Sequence, residues 1–261
     1  MRAIWKGAIS FGLVTIPVAL FSATEDKSPK FKMLRGEDAS PIRYKRVAEA
    51  DGNEVTWDEI VRGFEVEKGS YVVISDEELA AATTRGGAKL VDVIQFADES
   101  EIDPLYYRSS YYLSPEKTGV KAYRILLDAL SDRGRVGIAK VSIRDKESLA
   151  TLRARDNVLV LETMHWPDEV REAVFEEMDV EVEVRPEEVE MAAQLIENMT
   201  KPFDTSAYQD SRRERVEDLV AKKLAGQEIV MPEAPQPTKV VDLLEALKAS
   251  VEAAKSQRQA S

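Results

Sequence analysis

Residues 1–25 read MRAIWKGAISFGLVTIPVALFSATE, and they decide the fold because they admit three readings: an export signal, a membrane anchor, or the first strands of a soluble core. Fifteen residues, Gly7 to Phe21, carry no charge. A membrane-spanning helix needs about 20 apolar residues, and this run is shorter and broken by Ser10, Gly12, Thr15 and Pro17. A secretory core would tolerate the length, but not the mid-run proline followed by FSATE, which offers no small-x-small cleavage site. Ile9, Phe11, Val14, Thr15, Ile16, Val18 and Phe21 instead suit extended backbone, with Gly12 and Pro17 marking a bend. The expectation is two core strands of a soluble protein.

The chain has 261 residues, 44% of them hydrophobic, which is enough for a substantial core, and no cysteine. Disulfides and cysteine-based metal or redox sites are therefore excluded, and a reducing cytoplasm is expected. The net charge of -12 argues at first against a nucleic-acid partner. Taken by segment, however, residues 1–46 carry +5, 47–119 carry -10, 120–155 carry +5, 156–199 carry -12, and the two remaining stretches, 200–230 and 231–261, are neutral. Screening acts over about 8 Å at physiological salt, so a phosphate responds to the face beside it and hardly to a remote acidic one. Any single charge run is most simply a solvated face. Two basic blocks separated by acidic ones favour a nucleic-acid surface.

KFKMLR (30–35) and PIRYKRVA (41–48) read as strands bearing long basic side chains, with Arg43 and Lys45 on one side and Tyr44 and Arg46 on the other. The Asp51-Gly52 pair marks a hairpin reversal. Further strands are expected at 71–75, 89–96, 109–114, 136–143 and 157–164, and one helix over 117–134 ends at Gly134. Many strands with few crossovers imply a mostly antiparallel barrel or sandwich. The last third turns helical, over 186–199 and over 205–226. A linker follows with Pro232, Pro235 and Pro237, and then a short helix whose Val240, Leu244, Leu247 and Val251 form an apolar stripe. That stripe can fold back on the core or enter a groove on another protein.

Phosphate-cradling and hydrolase signatures are missing, so no catalytic residue and no cofactor are expected. His165 is the only histidine. Placed before Trp166 and Pro167, it reads as a packed ring, not a ligand. The acidic pairs Asp58/Glu59, Glu77/Glu78 and Glu187/Glu188 fit helix starts, where they complement the dipole, better than an all-carboxylate metal site. Aromatic residues are sparse beside the basic rows, which leaves duplex backbone electrostatics as the binding mode.

The opening 25 residues, the IRYKRV segment with its following turn, ESEIDPLYYRSSYYLSPEK (99–117) and RDNVLVLETMHWPDEVR (155–171) together resemble the bacterial Ku proteins of non-homologous end joining. The likeness runs from Met1 to about Val230 and resumes in VVDLLEALKAS (240–250). It implies an antiparallel β-barrel core with an extended bridging arm, mainly β with α, followed by C-terminal helices. The implied domains are a barrel over 1–185 with a bridge at about 27–89, a helical arm over 186–230 with dimer contacts, a linker at 231–238 and a terminal helix at 239–261.

The resemblance further implies a homodimeric ring threaded onto linear double-stranded DNA ends without reading sequence, which recruits and stimulates the ATP-dependent DNA ligase D. Lys30, Lys32, Arg35, Arg43, Lys45 and Arg46 are the expected phosphate contacts, with Arg2 and Lys6 beside them. The second basic block, Arg133, Arg135, Lys140 and Arg144, would complete the channel wall. Val240, Leu244, Leu247 and Val251 would meet the ligase.

Two departures stand out. A CxxC pair found in some relatives is replaced by Ala48 and Asp51, and no long lysine-rich tail follows KSQRQAS, so tail-assisted threading is not expected. Two rival functions are separable by experiment. An end-processing lyase would leave a borohydride-trapped adduct on abasic DNA, and a protein-only adaptor would give no salt-dependent shift of a duplex.

Overall fold

The computed structural model describes residues 1–83, 89–143, 146–175, 178, 180–226 and 243–260. Two compact units partition the chain: Met1–Lys27 with Lys32–Glu172, and Ser28–Phe31 with Ala173–Ser261.

The first unit is built on a closed barrel. Strand β1 (Trp5–Phe11) turns at Gly12, whose φ is +56°, into β2 (Val14–Ser22), confirming the reading of the opening run as two strands. Beyond β2 come β3 (Arg62–Glu67), β4 (Ser70–Ile74), the short helix α1 (Asp76–Thr83), β5 (Leu90–Asp98) and β6 (Tyr107–Pro115). Helix α2 (Val120–Arg133), β7 (Arg135–Ile143), β8 (Lys146–Arg155) and β9 (Val158–Met164) complete the unit. The barrel order is β1-β2-β6-β9-β8-β7-β5, and β3 pairs only with β4.

Every barrel pairing is antiparallel except the last, in which Ala8, Ile9 and Ser10 of β1 run parallel to Leu90, Val91 and Asp92 of β5. A parallel closure requires a long connection. Here it consists of β2, which brings the chain back to the rim where β1 starts, and residues 23–89, which begin and end at that rim. The strand directions place the end of β2, the starts of β5, β6 and β8, and the ends of β7 and β9 at one rim. The Trp5 indole donates to the Ser142 carbonyl there at 3.0 Å. Gly7 is needed for the closure, since a Cβ would meet the Lys89 carbonyl at 2.1 Å and the Trp5 ring at 2.2 Å.

Ile9, Ile16, Val18, Leu20, Val91, Leu113, Leu152, Leu159 and Leu161 are fully buried in one cluster. Tyr123, Leu126, Leu127 and Leu130, at the spacing of one helix face, bring α2 into it. Each side chain removed from water there is worth about 1.5–3 kcal/mol. Gly134, with φ 58°, ends α2 where the sequence places the stop.

The second unit contains α3 (Pro186–Met199), α4 (Ser211–Leu224) and α5 (Leu243–Ala260), and α3 packs on α5. The acidic pairs do cap helices. Glu59 accepts from the Thr56 amide at 2.8 Å, Glu78 from the Ser75 amide at 2.8 Å and Glu188 from the Arg185 amide at 2.9 Å.

Several local expectations are corrected. Residues 30–35 and 41–48 form no strand, only the isolated bridges Leu34 to Pro41 and Val47 to Glu54. Extended propensity without a second ladder leaves the backbone to turns and water. The Asp51-Gly52 reversal is present, with the Ala48 amide donating to the Asn53 carbonyl at 2.8 Å and Gly52 at φ 72°. The strands β3 and β8 have no counterpart in the sequence reading, α1 is marked there only by its start at Glu77/Glu78, and α4 starts at Ser211, later than expected. The linker at 231–238 and Val240 lie outside the described residues.

Candidate nucleic-acid interface

From Phe21 to Leu90 no described side chain is buried, although Phe64, Val66, Tyr71 and Val73 are each more than half exposed. The basic residues nominated from the sequence lie mostly here, and their surroundings differ. Arg35 grips Asp38 with both ends of its guanidinium, Nε to Oδ1 at 3.0 Å and Nη2 to Oδ2 at 2.5 Å. That bond, with those from Ser40, drives the Asp38 carboxyl far below the usual range. Lys45 Nζ lies 2.6 Å from Glu54 Oε2 across the Asp51-Gly52 turn. Arg46 stacks on Trp57, its guanidinium carbon 3.7 Å from the ring centre. The indole is 69% exposed, so the pair offers solvent a cation already held in place on an aromatic plate. Lys32 and Arg43 are exposed and have no ion pair among the described residues, and the same holds for Lys30 in the second unit. Arg2 is exposed, and Lys6 Nζ sits 3.8 Å from Glu116.

The second basic block is divided by the barrel. Arg133 ends α2 and Arg135 starts β7, where it pairs with Asp98 at the end of β5. Lys140 lies toward the opposite rim, from which residues 23–89 depart, and Arg144 falls outside the described residues. A single sequence block therefore does not make a single wall.

On the barrel, Arg153 and Glu162 form a largely covered pair between β8 and β9, Nε to Oε2 at 2.7 Å and Nη2 to Oε1 at 3.0 Å, with the Ser110 hydroxyl donating to Oε1 at 3.2 Å. Burial alone would raise the Glu162 carboxyl. The hydrogen bonds and charge of Arg153 together with Ser110 outweigh it and hold the group below its ordinary value. The pair joins strands, and the opposite charges cancel, so it adds nothing to a phosphate-binding field. His165, read as a placed ring, donates its amide to the Tyr106 carbonyl at 2.8 Å and holds Nδ1 3.4 Å from Glu169.

Of the terminal stripe, Leu244 and Leu247 are half-buried and Val251 is 5% exposed, with α5 against α3. Among the described residues no helix is long and apolar enough to cross a membrane.

The chemistry available along the described part of the connection is cationic and exposed. Comparison with known proteins agrees. Residues 10–191 match the family model described as the Ku70/Ku80 beta-barrel domain. A Frankia casuarinae protein named non-homologous end joining protein Ku is 46% identical over 259 residues, covering 99% of this chain and 65% of its own. Proteins of the same name from Heliobacterium modesticaldum, 44% identical over 99% of this chain and 94% of their own, and from Bacillus subtilis, 40% identical over 97% and 82%, are similar throughout. A closed barrel whose strands β1 and β5 close it in parallel, with this match over most of the chain, means that the chain belongs to the Ku family of non-homologous end joining.

Proposed function

We propose that this chain binds ends of double-stranded DNA as a homodimeric ring in non-homologous end joining, without reading sequence, and that it recruits and stimulates the ATP-dependent DNA ligase D. The observation that carries the reading is the stretch from Phe21 to Leu90, which buries no described side chain in its own chain yet displays both apolar and basic groups. Apolar side chains left in water on this scale call for a partner surface, and a second copy of the same stretch is self-complementary under two-fold symmetry. Cations on the same stretch call for phosphate. Topology then supplies end specificity, because an enclosed passage admits DNA only from a terminus.

Duplex DNA carries one charge per about 1.7 Å of axis, and neutralising about six to eight phosphates per dimer gives a salt slope of roughly -5 to -7. Lys30, Lys32, Arg43 and the Trp57-supported Arg46 are the strongest contacts in this reading, while Arg35 and Lys45 must first leave Asp38 and Glu54. Exposed ion pairs cost only about 0–1 kcal/mol to break, so the exchange is affordable. The protein acts as a scaffold on chromosomal DNA in the cytoplasm, and no catalytic step is assigned to it. The terminal helix is the ligase-facing element through Val240, Leu244, Leu247 and Val251. Because Val251 is covered in the α3–α5 packing, contact through it requires α5 to leave α3.

The test compares affinity for a linear duplex with affinity for the same DNA closed into a circle at matched length and salt. Strong preference for the linear form is expected. Equal binding removes the threading model, and cross-linking that yields only a single copy removes the dimer.

A further inference from the structure

Four basic side chains that are distant in sequence meet at the barrel rim from which residues 23–89 depart. A single register row crosses five strands there: Asp92 of β5, Lys140 of β7, Leu149 of β8, Met164 of β9 and Tyr107 of β6. Arg108 follows Tyr107 as the extra residue of a β-bulge, since Tyr107 pairs with Met164 and Ser109 with Thr163. A bulge re-aims the side chain it carries, and bulges gather beside functional sites. His165 follows Met164, and Lys146 opens β8 opposite Ile143. Arg108 and Lys146 are exposed, whereas Lys140, His165 and Trp166 are half-buried.

The floor of this rim is aromatic. Lys140 Nζ lies 5.7 Å from the centre of the Trp166 ring, within the distance at which the ring quadrupole attracts a cation. One carboxylate stands among them: Glu169 Oε2 accepts the Trp166 amide at 2.9 Å and lies 3.4 Å from His165 Nδ1. That amide bond, and after it the charges of Lys146 and Arg108, outweigh burial and hold the Glu169 carboxyl below its usual range.

Unlike Arg35, Lys45 and Arg135, each in an ion pair, Arg108, Lys140 and Lys146 have none among the described residues, although Asp92 stands beside Lys140 in register. Like charges held together repel, and an arriving anion relieves the repulsion. The chain also enters and leaves the connection here, with the Ala23 amide donating to the Ser110 carbonyl at 3.1 Å and the Lys89 carbonyl accepting from Ala8 at 2.9 Å.

We propose that Arg108, Lys140, Lys146 and His165, over Trp166, form a phosphate-binding patch on the barrel rim that engages DNA between the two roots of the connection. The proposal rests on the DNA-end reading; it keeps Lys140 of the second basic block and adds Arg108, Lys146 and His165, which the sequence reading left out. Arg108 supplies a planar fork suited to two phosphate oxygens, and the lysines add point charges. The phosphate belongs either to the duplex backbone or to the 5′ terminus.

The experiment measures binding of a blunt linear duplex across a salt series for the unmodified chain, the double variant R108Q/K146Q and the control R108K/K146R. The duplex is supplied with either a 5′-phosphate or a 5′-hydroxyl. The double variant should lose about two units of salt slope per engaged protomer, with an unchanged melting temperature because both side chains are exposed. The control should keep the original slope. Loss on both DNAs identifies the backbone as the ligand, and loss confined to the 5′-phosphorylated duplex identifies the terminus. An unchanged slope on both, while the unmodified chain binds normally, overturns the patch and leaves the DNA-end reading standing. Absence of binding by the unmodified chain overturns both. K140Q in the same assay provides an independent check within the patch.

Discussion

The Tyr123 hydroxyl accepts the Leu159 amide at 2.7 Å while donating to the Leu113 carbonyl at 2.6 Å. Leu113 and Leu159 are register partners of β6 and β9, so a helix side chain ties the end of a strand ladder. The ring is 5% exposed, and burial raises its phenol against the effect of the Leu159 bond. Tyr123→Phe keeps the packing and leaves a buried amide and a buried carbonyl without this partner. A loss of about 1–3 kcal/mol is expected, read as a melting temperature several degrees lower. An unchanged melting temperature would mean that water reaches both groups.

Glu162 gives a pH-dependent test. Its folded value is lowered, so the stabilisation it provides is fully present above the ordinary glutamate range and disappears as pH falls through the lowered folded value. At neutral pH, E162Q should cost about 1–3 kcal/mol, because Arg153 keeps a neutral partner in place of a carboxylate. Melting curves of the two proteins should converge in acid. A gap that persists there would assign the effect to packing and not to charge.

The local pairs on the connection should restrain DNA binding. Glu54 lies 2.6 Å from Lys45, and Asp38 lies 2.5 Å from Arg35. E54Q and D38N each remove a negative charge and release a cation at the surface, an effect of about two- to five-fold in affinity. Both should bind a linear duplex more tightly with unchanged melting temperature. The paired reversal R43E/K45E should weaken binding on every sequence alike. Tighter binding by that reversal would place both residues away from DNA.

Removing residues 238–261 takes away α5 and uncovers the face of α3 that carries the half-buried Met191, Ala192 and Leu195. End binding should survive and ligase stimulation should be lost, while the truncated chain should self-associate more, as measured by light scattering. V251D should have a milder form of the same effect by disfavouring the α3–α5 packing. Loss of end binding on truncation would assign the terminal helix to DNA.

Legibility in the sequence followed whether an element's reason for existing was local. The β1–β2 pair, the stop of α2 at Gly134 and the three glutamate caps depend on residues within a few positions of one another, and each stands where the residues indicate. Strand β8, KESLATLRAR, is not among the strands expected from the sequence, and its reason for existing is not local. Across the barrel Arg153 meets Glu162, and Ala150 and Leu152 are fully buried. Residues 30–35 and 41–48 erred the other way, since β-propensity has no effect without a partner ladder.

By itself, the sequence determined the family, the barrel's first strands, the helical last third and the sorting of charge into blocks. All of these are carried by contiguous motifs or by composition. Only the tertiary structure decided which cations stand together. It sent Arg135 to Asp98 and brought Arg108, Lys140, Lys146 and His165 to one rim. The physical reason is that strand order and register, including a one-residue bulge and a parallel closure, set the distances between side chains, and neither is written in any local stretch.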